Sequence, residues 1–337
     1  MLLASDASGD FDAILAMALA AEKYNWTAPT LTARNGVLEI TKGRHPLQEL
    51  VVPSFIPNDC RLRNEECDDD QSTPCMVLTG PNHSGKSVYL KQVALIVYLA
   101  HVGSFVPAEL AVIGITDRIL TRISTRESVC KEDSAFGIDL KQLHYAMKHL
   151  TPQSLLIIDE FGNGTNPDDG AGLLASFLEY VQSLKAEAPR SLLATHMHDL
   201  FDDPQLSLAR SMSLTHMEIT KTPSRETGAN HVTYLFKLQD GYISTSFGGY
   251  CATLNGVPNP VVERADALSL LLSRHEDIRV PCTKLTSDEE QRLQWAESVA
   301  RKFLEESFHE PENDEDPPHL DPQESLRRVL AMSSHMG

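Results

Sequence analysis

The feature that most constrains this chain is a glycine-containing stretch between an apolar segment and a helical pattern. Met76 to Leu78 is apolar and predicts a buried strand. The spacing Gly80-x-x-x-x-Gly85-Lys86-Ser87 follows it, and apolar periodicity then predicts a helix from about Ser87 to Ala100. Glycines let backbone N–H groups turn toward phosphate oxygens, and the helix start adds its positive dipole end. The order of strand, loop and helix therefore favours a P-loop over an ordinary glycine-rich turn.

A P-loop assigns roles to particular side chains. Lys86 can reach the β- and γ-phosphates of a nucleotide, and the Ser87 hydroxyl can bind Mg²⁺. The residues that we expect to hold the phosphates are Gly80, Pro81, Asn82, His83, Ser84, Gly85, Lys86 and Ser87.

Two further strands end in polar residues. The apolar run Leu155 to Ile158 is followed by Asp159 and Glu160, which suits a Walker B element. Asp159 would then hold the Mg²⁺ shell, and Glu160 would orient or deprotonate the attacking water. The alternative is a strand that merely stops at a charged edge. Ala194-Thr195-His196 ends another apolar strand, so His196 either senses the γ-phosphate or is a structural histidine.

Strand and helix patterns alternate along most of the chain. We therefore predict an α/β fold with a largely parallel central sheet and ligands at the carboxyl ends of its strands. Leu214 to Thr220 and His231 to Leu238 are expected to pair as a hairpin. The remaining expected helices cover residues 10–26, 138–150, 171–184, 261–272 and 285–303, and the remaining expected strands cover 37–40, 50–56, 111–115, 119–123 and 191–195.

Two polar segments are expected to be irregular. Asn58 to Pro74 is predicted to be a solvated acidic loop rather than a metal site. Glu310 to Gln323 is rich in Pro, Asp and Glu, which predicts disorder, and a short helix is expected from Ser325 to Met332.

Composition restricts the partners that the chain can have. No apolar run reaches the roughly 20 residues that a membrane span needs, so no membrane is expected. The net charge of −18 argues against a broad basic DNA-binding surface on this chain. The six cysteines form no C-x-x-C pair and are expected to be reduced thiols of an intracellular protein.

Several motifs occur in the order found in one family. TGPNHSGKS, GSFVPAE, SAFGIDL, LLIIDEFGNGT, DDG and ATH resemble the ATPase domain of MutS proteins, and so do the flanking LEITKGRHPL, FIPND and LQDGYISTSFGGYCATLNGVPNPVVERA. The resemblance covers about residues 10 to 275. It is strongest to the meiotic eukaryotic branch, the MutS homologue five type.

The resemblance implies an ABC-type ATPase domain that binds ATP and Mg²⁺ and dimerises head to tail. Ser134 resembles the signature serine that reaches the partner's γ-phosphate, although serine before a helix alone reads as an N-cap. Phe55 and Ile56 fall where the family packs the adenine ring, and Asn82 and His196 match the P-loop asparagine and the switch histidine. Residues 162–166 and Asp169 resemble the segment that crosses to the partner site.

Some positions depart from the family pattern. Ser84 stands where many members have glycine, and Ala135 and Gly137 replace the usual threonine and methionine of the signature block. These changes bear on the contact with the partner. The mismatch-reading and connector domains and most of the lever and clamp domains have no counterpart. The chain therefore resembles a C-terminal portion.

The resemblance also implies an organisation and a role. We expect a remnant lever helix (1–27), the ATPase domain (28–265), a helical dimerisation region (266–306) and an acidic, mostly disordered tail (307–337). The implied role is a nuclear, DNA-dependent ATPase module of a MutS-type clamp. It would act with a related subunit in meiotic recombination and contact DNA through the assembled clamp. Alternatives are a mismatch-repair subunit, a non-catalytic dimerisation module and another ABC-type ATPase.

Overall fold

A computed structural model of the protein describes residues 2–64, 73–123, 134–162, 164–201, 212–223, 230–243, 247–274, 276, 287–304 and 327. The chain divides into two compact units, residues 1–257 and 258–337. The first unit contains both sheets and the P-loop stretch. The domain boundaries predicted from the sequence remain a prediction.

Ten strands and five longer helices make up the described part of the first unit. The strands are β1 (Thr30–Thr32), β2 (Leu38–Gly43), β3 (Asn58–Leu62), β4 (Cys75–Thr79), β5 (Leu110–Gly114), β6 (Ile119–Arg122), β7 (Leu155–Asp159), β8 (Arg190–Ala194), β9 (Ser213–Pro223) and β10 (Asn230–Asp240). The helices are α1 (Leu2–Tyr24), α2 (Lys86–His101), α3 (Ala135–His149), α4 (Pro167–Ser183) and α5 (Gly248–Leu254).

The central sheet has six strands in the order β10-β9-β4-β8-β7-β6. All neighbours pair in parallel except β9 and β10, which form the expected antiparallel hairpin. The predicted α/β class with a largely parallel sheet is confirmed. Every residue of β4, β7 and β8 is buried, because helices cover both faces of a parallel sheet.

Helix α2 is packed between the central sheet and a second, smaller sheet. Its buried residues join side chains from β2, β3 and β5 on one side and from β4, β7 and β8 on the other in one apolar core. Fully buried residues such as Leu90, Ile96 and Val97 each stabilise the fold by about 1.5–3 kcal/mol. The core therefore fixes the helix, and with it the glycine loop that precedes its first turn.

Helices α3 and α4 cover the opposite face of the central sheet. Leu143 of α3 and Leu174 and Leu178 of α4 pack with Val77, Leu156 and other sheet residues in a second apolar core. Both helices begin with a side-chain cap. Ser134 Oγ accepts a hydrogen bond from Gly137 N at 3.1 Å, and Asn166 Oδ1 accepts one from Asp168 N at 3.4 Å.

The smaller sheet corrects one prediction. Its order is β1-β5-β2-β3, and β3 occupies the start of the segment that was predicted to be a loop. Asn58, Cys60 and Leu62 are buried alternately, which is the period of a half-buried strand, so the solvated-loop prediction is wrong for these residues. Residues 65–72 lie outside the described residues.

The predicted strand at residues 50–56 is also wrong. A 3-10 turn covers Gln48–Leu50, and no strand follows it before Asn58. Pro53 cannot donate to a sheet ladder, and Phe55 and Ile56 line a cavity instead of a sheet face.

The other expected helices and strands are present with shifts of a few residues, and α1 begins earlier than predicted. The predictions for residues 310–323 and 325–332 lie outside the described residues, except for Arg327.

In the second unit, α6 covers Asn259–Ser273 and α7 covers Ser287–Leu304. Both agree with the helices expected there. Leu293 and Trp295 of α7 are exposed, at 57% and 48%. None of the helices in the described ranges is long and apolar enough to cross a membrane.

Candidate functional site

The glycine loop between β4 and α2 has the backbone that close approach to an anion requires. Gly80, His83 and Gly85 have φ angles of 142°, 65° and 99°. The N-cap residue of α2 is Gly85, and glycine has no side chain that could cap the helix. The first amide groups of α2 therefore have no capping partner. Free amides at a helix N-terminus form an anion site.

Lys86 is the most unusual side chain of the loop because it is almost completely buried, at 4% exposure. Its Nζ donates hydrogen bonds to the carbonyl oxygens of Gly80 (2.8 Å) and Pro81 (3.2 Å) and lies 3.7 Å from Glu160 Oε1. Burial lowers the pKa of Lys86, while the charges of Glu160 and Asp159 oppose that shift. The folded protein therefore holds the Lys86 ammonium inside the P-loop, although burial deprives this charged group of its hydration.

Asp159 is the last residue of β7. Strand β7 pairs with β8, and β8 pairs with the P-loop strand β4. Its side chain is buried, and its Oδ1 has no hydrogen-bond partner among the described residues. A buried carboxylate oxygen without a partner is rare in a folded protein and points to an absent ligand. Asp159 also acts electrostatically on Lys86 by raising its pKa, which places the two groups near each other.

Glu160 is held in a left-handed backbone conformation, with a φ of 55°. Its N–H donates to the carbonyl oxygen of Ala194 at 2.9 Å, which ties the residue to the end of β8. Its Oε1 lies 2.6 Å from His196 Nε2. This hydrogen bond is the largest cause that lowers the pKa of Glu160, so the side chain is a carboxylate at neutral pH.

His196 lies two residues after the end of β8. In the central sheet, β8 lies between β4 and β7. Thr195 N donates to the carbonyl oxygen of Leu78 at 3.1 Å, which ties this corner to the P-loop strand. The structure therefore brings His196 onto Glu160, as neighbouring parallel strands predict. Its role as a γ-phosphate sensor remains a prediction.

The residues that were predicted to hold a metal have suitable chemistry for Mg²⁺. Asp159 offers a buried carboxylate oxygen without a partner, and the half-buried Ser87 lines the cavity described below. Mg²⁺ prefers oxygen ligands and usually takes one or two protein side chains together with phosphates and water. Within the described ranges, no group of three His, Cys, Asp or Glu side chains forms a self-sufficient metal site. Binding of metal together with a nucleotide fits these residues.

A cavity of about 600 Å³ opens beside the P-loop. It is lined by residues 81–89, by Glu160 and by an apolar wall. The wall includes Phe55, Ile56, Val52 and Phe236. The cavity is within the size range of small-molecule sites, and its lining combines the glycine loop and Lys86 with aromatic rings. It brings Phe55 and Ile56, which were predicted to pack the adenine ring, together with residues 81–87 of the predicted phosphate loop, whereas Gly80, Asp159 and His196 do not line it.

Phe236 is one of the lining residues that sequence reasoning missed. It lies in β10 at an irregularity between Tyr234 and Leu238, where the register shifts, and its φ is 54°. Its ring approaches the P-loop closely, because a Cβ added at Gly85 would lie 3.3 Å from Phe236 Cδ1. A β-bulge that turns a side chain toward a site leaves no signal in an alternating strand pattern.

Asn58 holds this irregular segment in place from β3. Its Nδ2 donates to the carbonyl oxygen of Phe236 at 2.9 Å, and its Oδ1 accepts from Leu238 N at 2.7 Å. Asn58 is buried and lines the cavity. Its side chain thus satisfies two backbone groups of the irregular segment.

The residues predicted to act on a partner site lie elsewhere. Ser134 is exposed, caps α3 and is absent from the cavity lining in the described part of the chain. Gly162 and Gly170 touch, because a Cβ added at Gly170 would lie 2.9 Å from the carbonyl oxygen of Gly162. Asp169 lies in the first turn of α4 and is exposed. Asn163 of the predicted crossing segment lies outside the described residues.

Three cysteines, Cys60, Cys75 and Cys251, are buried free thiols. Burial raises the pKa of both Cys60 and Cys75 to about 12, so these thiols stay protonated and unreactive. The expectation of reduced thiols agrees with this description, and the other three cysteines lie outside the described residues.

Comparison with known proteins identifies the family to which this arrangement belongs. The family model described as MutS domain V matches residues 76–273. The chain belongs to the MutS family. Its fold is therefore the ABC-type ATPase fold of that domain, as the motif order predicted.

The curated relatives include eukaryotic and bacterial members of the MutS family. MutS protein homolog 5 of Saccharomyces cerevisiae is 36% identical over 313 residues, which cover 88% of this chain and 34% of that protein. The DNA mismatch repair protein MutS of Carboxydothermus hydrogenoformans is 36% identical over 277 residues (81% and 30%). That of Lactococcus lactis subsp. cremoris is 35% identical over 284 residues (84% and 31%). The chain thus spans about a third of the length of these relatives.

Proposed function

We propose that this MutS-family ATPase domain binds ATP with Mg²⁺ and hydrolyses it. The single observation that carries the proposal is that buried Lys86 and hydrogen-bonded Glu160 meet at one cavity, next in sequence to the buried Asp159 carboxylate, whose Oδ1 has no partner among the described residues. Lys86, Asp159 and Glu160 come from two separate stretches of the chain, and the parallel sheet brings them together. P-loop ATPases use these residue types for phosphoryl transfer.

Each residue receives a role from its surroundings. The P-loop amides and Lys86 bind the phosphates, and the ammonium exchanges its carbonyl partners for phosphate oxygens. Ser87 and Asp159 hold the Mg²⁺, which when bound neutralises charge on the phosphates. The Glu160 carboxylate orients the attacking water and accepts its proton, and the His196 hydrogen bond keeps that carboxylate directed and ionised.

The aromatic residues that line the cavity support a nucleobase site. Phe55 and Phe236 both line it, so the base packs against aromatic rings while the phosphates reach the glycine loop. Base–aromatic contact contributes roughly 1–3 kcal/mol per base. We include Phe236 with Phe55 and Ile56 as residues that contact the base.

The wider role that we propose is the ATPase module of a MutS-type clamp in meiotic recombination, acting in the nucleus with a related subunit. Ser134 is exposed at the start of α3, as a residue that reaches a partner's nucleotide needs to be. The yeast relative named MutS protein homolog 5 supports this branch. Because this chain carries a net charge of −18, we assign DNA contact to the assembled clamp and its other segments.

A mismatch-repair role is the second candidate. Relatives named DNA mismatch repair protein MutS match this chain at identities of 34–36%, close to the 36% of the yeast relative. The nucleotide chemistry proposed for the site is the same in both roles.

The test is single-turnover hydrolysis of γ-labelled ATP with Mg²⁺, with and without a related MutS-type subunit. The wild type should release phosphate, and EDTA should abolish the release. Glu160→Gln keeps the shape of the side chain but removes its basic oxygen, so it should bind ATP within about threefold of wild type and hydrolyse it about 10²- to 10⁴-fold more slowly.

The same experiment separates the catalytic proposal from a non-catalytic dimerisation module. ATP binding without phosphate release in the mixed complex would establish the non-catalytic module, whose motivation is the altered signature residues Ala135 and Gly137. Equal hydrolysis by wild type and Glu160→Gln would contradict the role of Glu160.

A further inference from the structure

A buried arginine lies behind the two carboxylate residues of the site. Arg122 ends β6, and β6 pairs in parallel with β7 so that Arg122 stands opposite Ile158. Its Nη1 donates to the carbonyl oxygens of Asp159 and Glu160, the latter at 3.2 Å. The guanidinium therefore contacts the backbone carbonyl oxygens of both residues.

The second half of the guanidinium is bound by Asp139 of α3. Arg122 Nε donates to Asp139 Oδ1 at 3.1 Å, and Nη2 donates to Oδ2. The side chains of Arg122 and Asp139 are only 9% and 3% exposed. A bidentate arginine–carboxylate pair has one geometry, so the pair fixes the position of α3 relative to the end of β7.

Two apolar contacts join the same two segments. The rings of Phe136 and Phe161 pack with their centroids 6.5 Å apart. A Cβ added at Gly164 would lie 3.1 Å from Phe136 N, so the loop after Glu160 lies directly on the first turn of α3. Phe161 and Gly164 therefore both pack against the start of α3.

Glu160 needs such support because its own backbone conformation is unfavourable. A φ of 55° is uncommon for a residue with a Cβ and persists only where the surroundings hold it. The Glu160 N–H is held by Ala194 and its carbonyl oxygen by Arg122, so the backbone is fixed on both sides. The carboxylate direction then depends on the guanidinium.

We propose that Arg122 and Asp139 are positioning residues for hydrolysis: the pair holds Glu160 in its productive conformation and couples it to α3. Because Ser134 caps the same helix, a displacement of the first turn of α3 changes the position of the Glu160 carboxylate. This inference rests on the proposed ATPase function and adds a link between the partner-facing helix and the water-orienting residue.

Arg122→Lys is the main test, carried out on the full chain. Lysine keeps the charge but loses the planar fork, so it cannot hold Asp139 and both carbonyl oxygens together. We expect kcat for ATP to fall about 10- to 100-fold, as for a small misplacement of a catalytic group, while KM stays within about threefold. Asp139→Glu retains a bidentate carboxylate and should recover activity relative to Asp139→Asn.

Arg190→Lys is the matched control. Arg190 is also a fully buried arginine, and it donates to the carbonyl oxygens of Val37, Gly114 and Gln153 at the opposite, starting end of β8. Burial lowers its pKa to about 10. Arg190→Lys should lower the melting temperature without lowering kcat. A fall in kcat as large as that of Arg122→Lys would overturn the inference by showing a general effect of core damage.

A double-mutant cycle distinguishes a positioning role of Arg122 from a purely structural role. If Arg122 acts through Glu160, Arg122→Lys should change kcat by less than about twofold in the Glu160→Gln background. A further 10-fold loss there would overturn the inference, and so would a kcat for Arg122→Lys within twofold of wild type.

Hydrogen exchange separates this inference from the proposed function. Arg122→Lys should speed amide exchange in residues 134–142 and 159–166, and Arg190→Lys should not. If the wild type fails to hydrolyse ATP, the proposed function fails, and the exchange comparison still tests the coupling. Unchanged exchange in both segments would overturn the coupling whatever the ATPase result.

Discussion

Replacement of Lys86 by methionine separates nucleotide binding from fold stability. Lys86 is buried at 4% exposure, and its Nζ has two carbonyl oxygens and Glu160 as its neighbours. If a triphosphate binds, this desolvated ammonium is the nearest cation to its terminal phosphates. Truncation of one partner of a buried, hydrogen-bonded charge pair costs about 2–5 kcal/mol. We therefore expect Lys86→Met to weaken ATP binding about 30- to 4,000-fold.

The same substitution should leave the free protein about as stable as the wild type. Burial lowers the pKa of Lys86, which means that the folded protein holds the charged form less favourably than water does. Methionine fills a similar volume without that desolvation, although it leaves the Gly80 carbonyl oxygen without its partner. These effects oppose each other, so the free energy of unfolding should change by less than about 1 kcal/mol.

The assay is calorimetric titration with a non-hydrolysable ATP analogue and Mg²⁺, beside urea unfolding of both proteins without nucleotide. Lys91→Met is the matched control, because Lys91 lies exposed on the same helix and should leave the affinity within about twofold. Equal affinity of wild type and Lys86→Met would refute the assignment of the phosphate site. A loss of several kcal/mol of stability would refute the account of the free protein.

Two other predictions concern Glu160 and Asn58. The pKa of Glu160 in the folded protein is lowered, chiefly by the His196 hydrogen bond. The ionised Glu160 side chain therefore stabilises the fold fully above its unfolded pKa of about 4.3, and this stabilisation is lost as the pH falls through its folded pKa. The difference in unfolding free energy between wild type and Glu160→Gln should therefore shrink as the pH falls from 6 to 3, and a difference that stays constant over this range would contradict the shift. Asn58→Ala removes two hydrogen bonds that hold the bulge at Phe236, which should destabilise the fold by about 1–3 kcal/mol and weaken ATP binding. Thermal unfolding and the same titration measure both effects, and unchanged affinity would show that Phe236 does not depend on Asn58.

The central sheet and the phosphate end of the site were predictable because they depend on local order. An apolar strand that ends in polar residues predicts a position at the carboxyl edge of a parallel sheet. Lys86, Asp159, Glu160 and His196 follow such strands, and the structure brings them to one corner. Their roles in catalysis remain predictions.

The smaller sheet and the position of Phe236 beside the P-loop were not predictable in the same way. Strand β3 is short, begins with a polar residue and runs into an acidic segment, so its alternating burial was masked by composition. Phe236 reads as an ordinary strand residue, and only the bulge held by Asn58 turns it toward the P-loop. Both features depend on pairing between segments that are distant in the sequence.

Arg122 and Asp139 show the same limitation within the site itself. A strand arginine and a helix aspartate have no recognisable spacing, and they meet only because β6 pairs with β7 while α3 packs against one face of the same sheet. Long-range ion pairs of this kind become visible only in three dimensions.

The most direct test of the account is a crystal structure of the protein with Mg²⁺ and a non-hydrolysable ATP analogue. We predict that Lys86 Nζ contacts the terminal phosphates, that Ser87 and Asp159 hold the metal, and that the base packs beside Phe55 and Phe236. A nucleotide bound elsewhere, or a metal remote from both Ser87 and Asp159, would contradict the central claim that these residues form one ATP site.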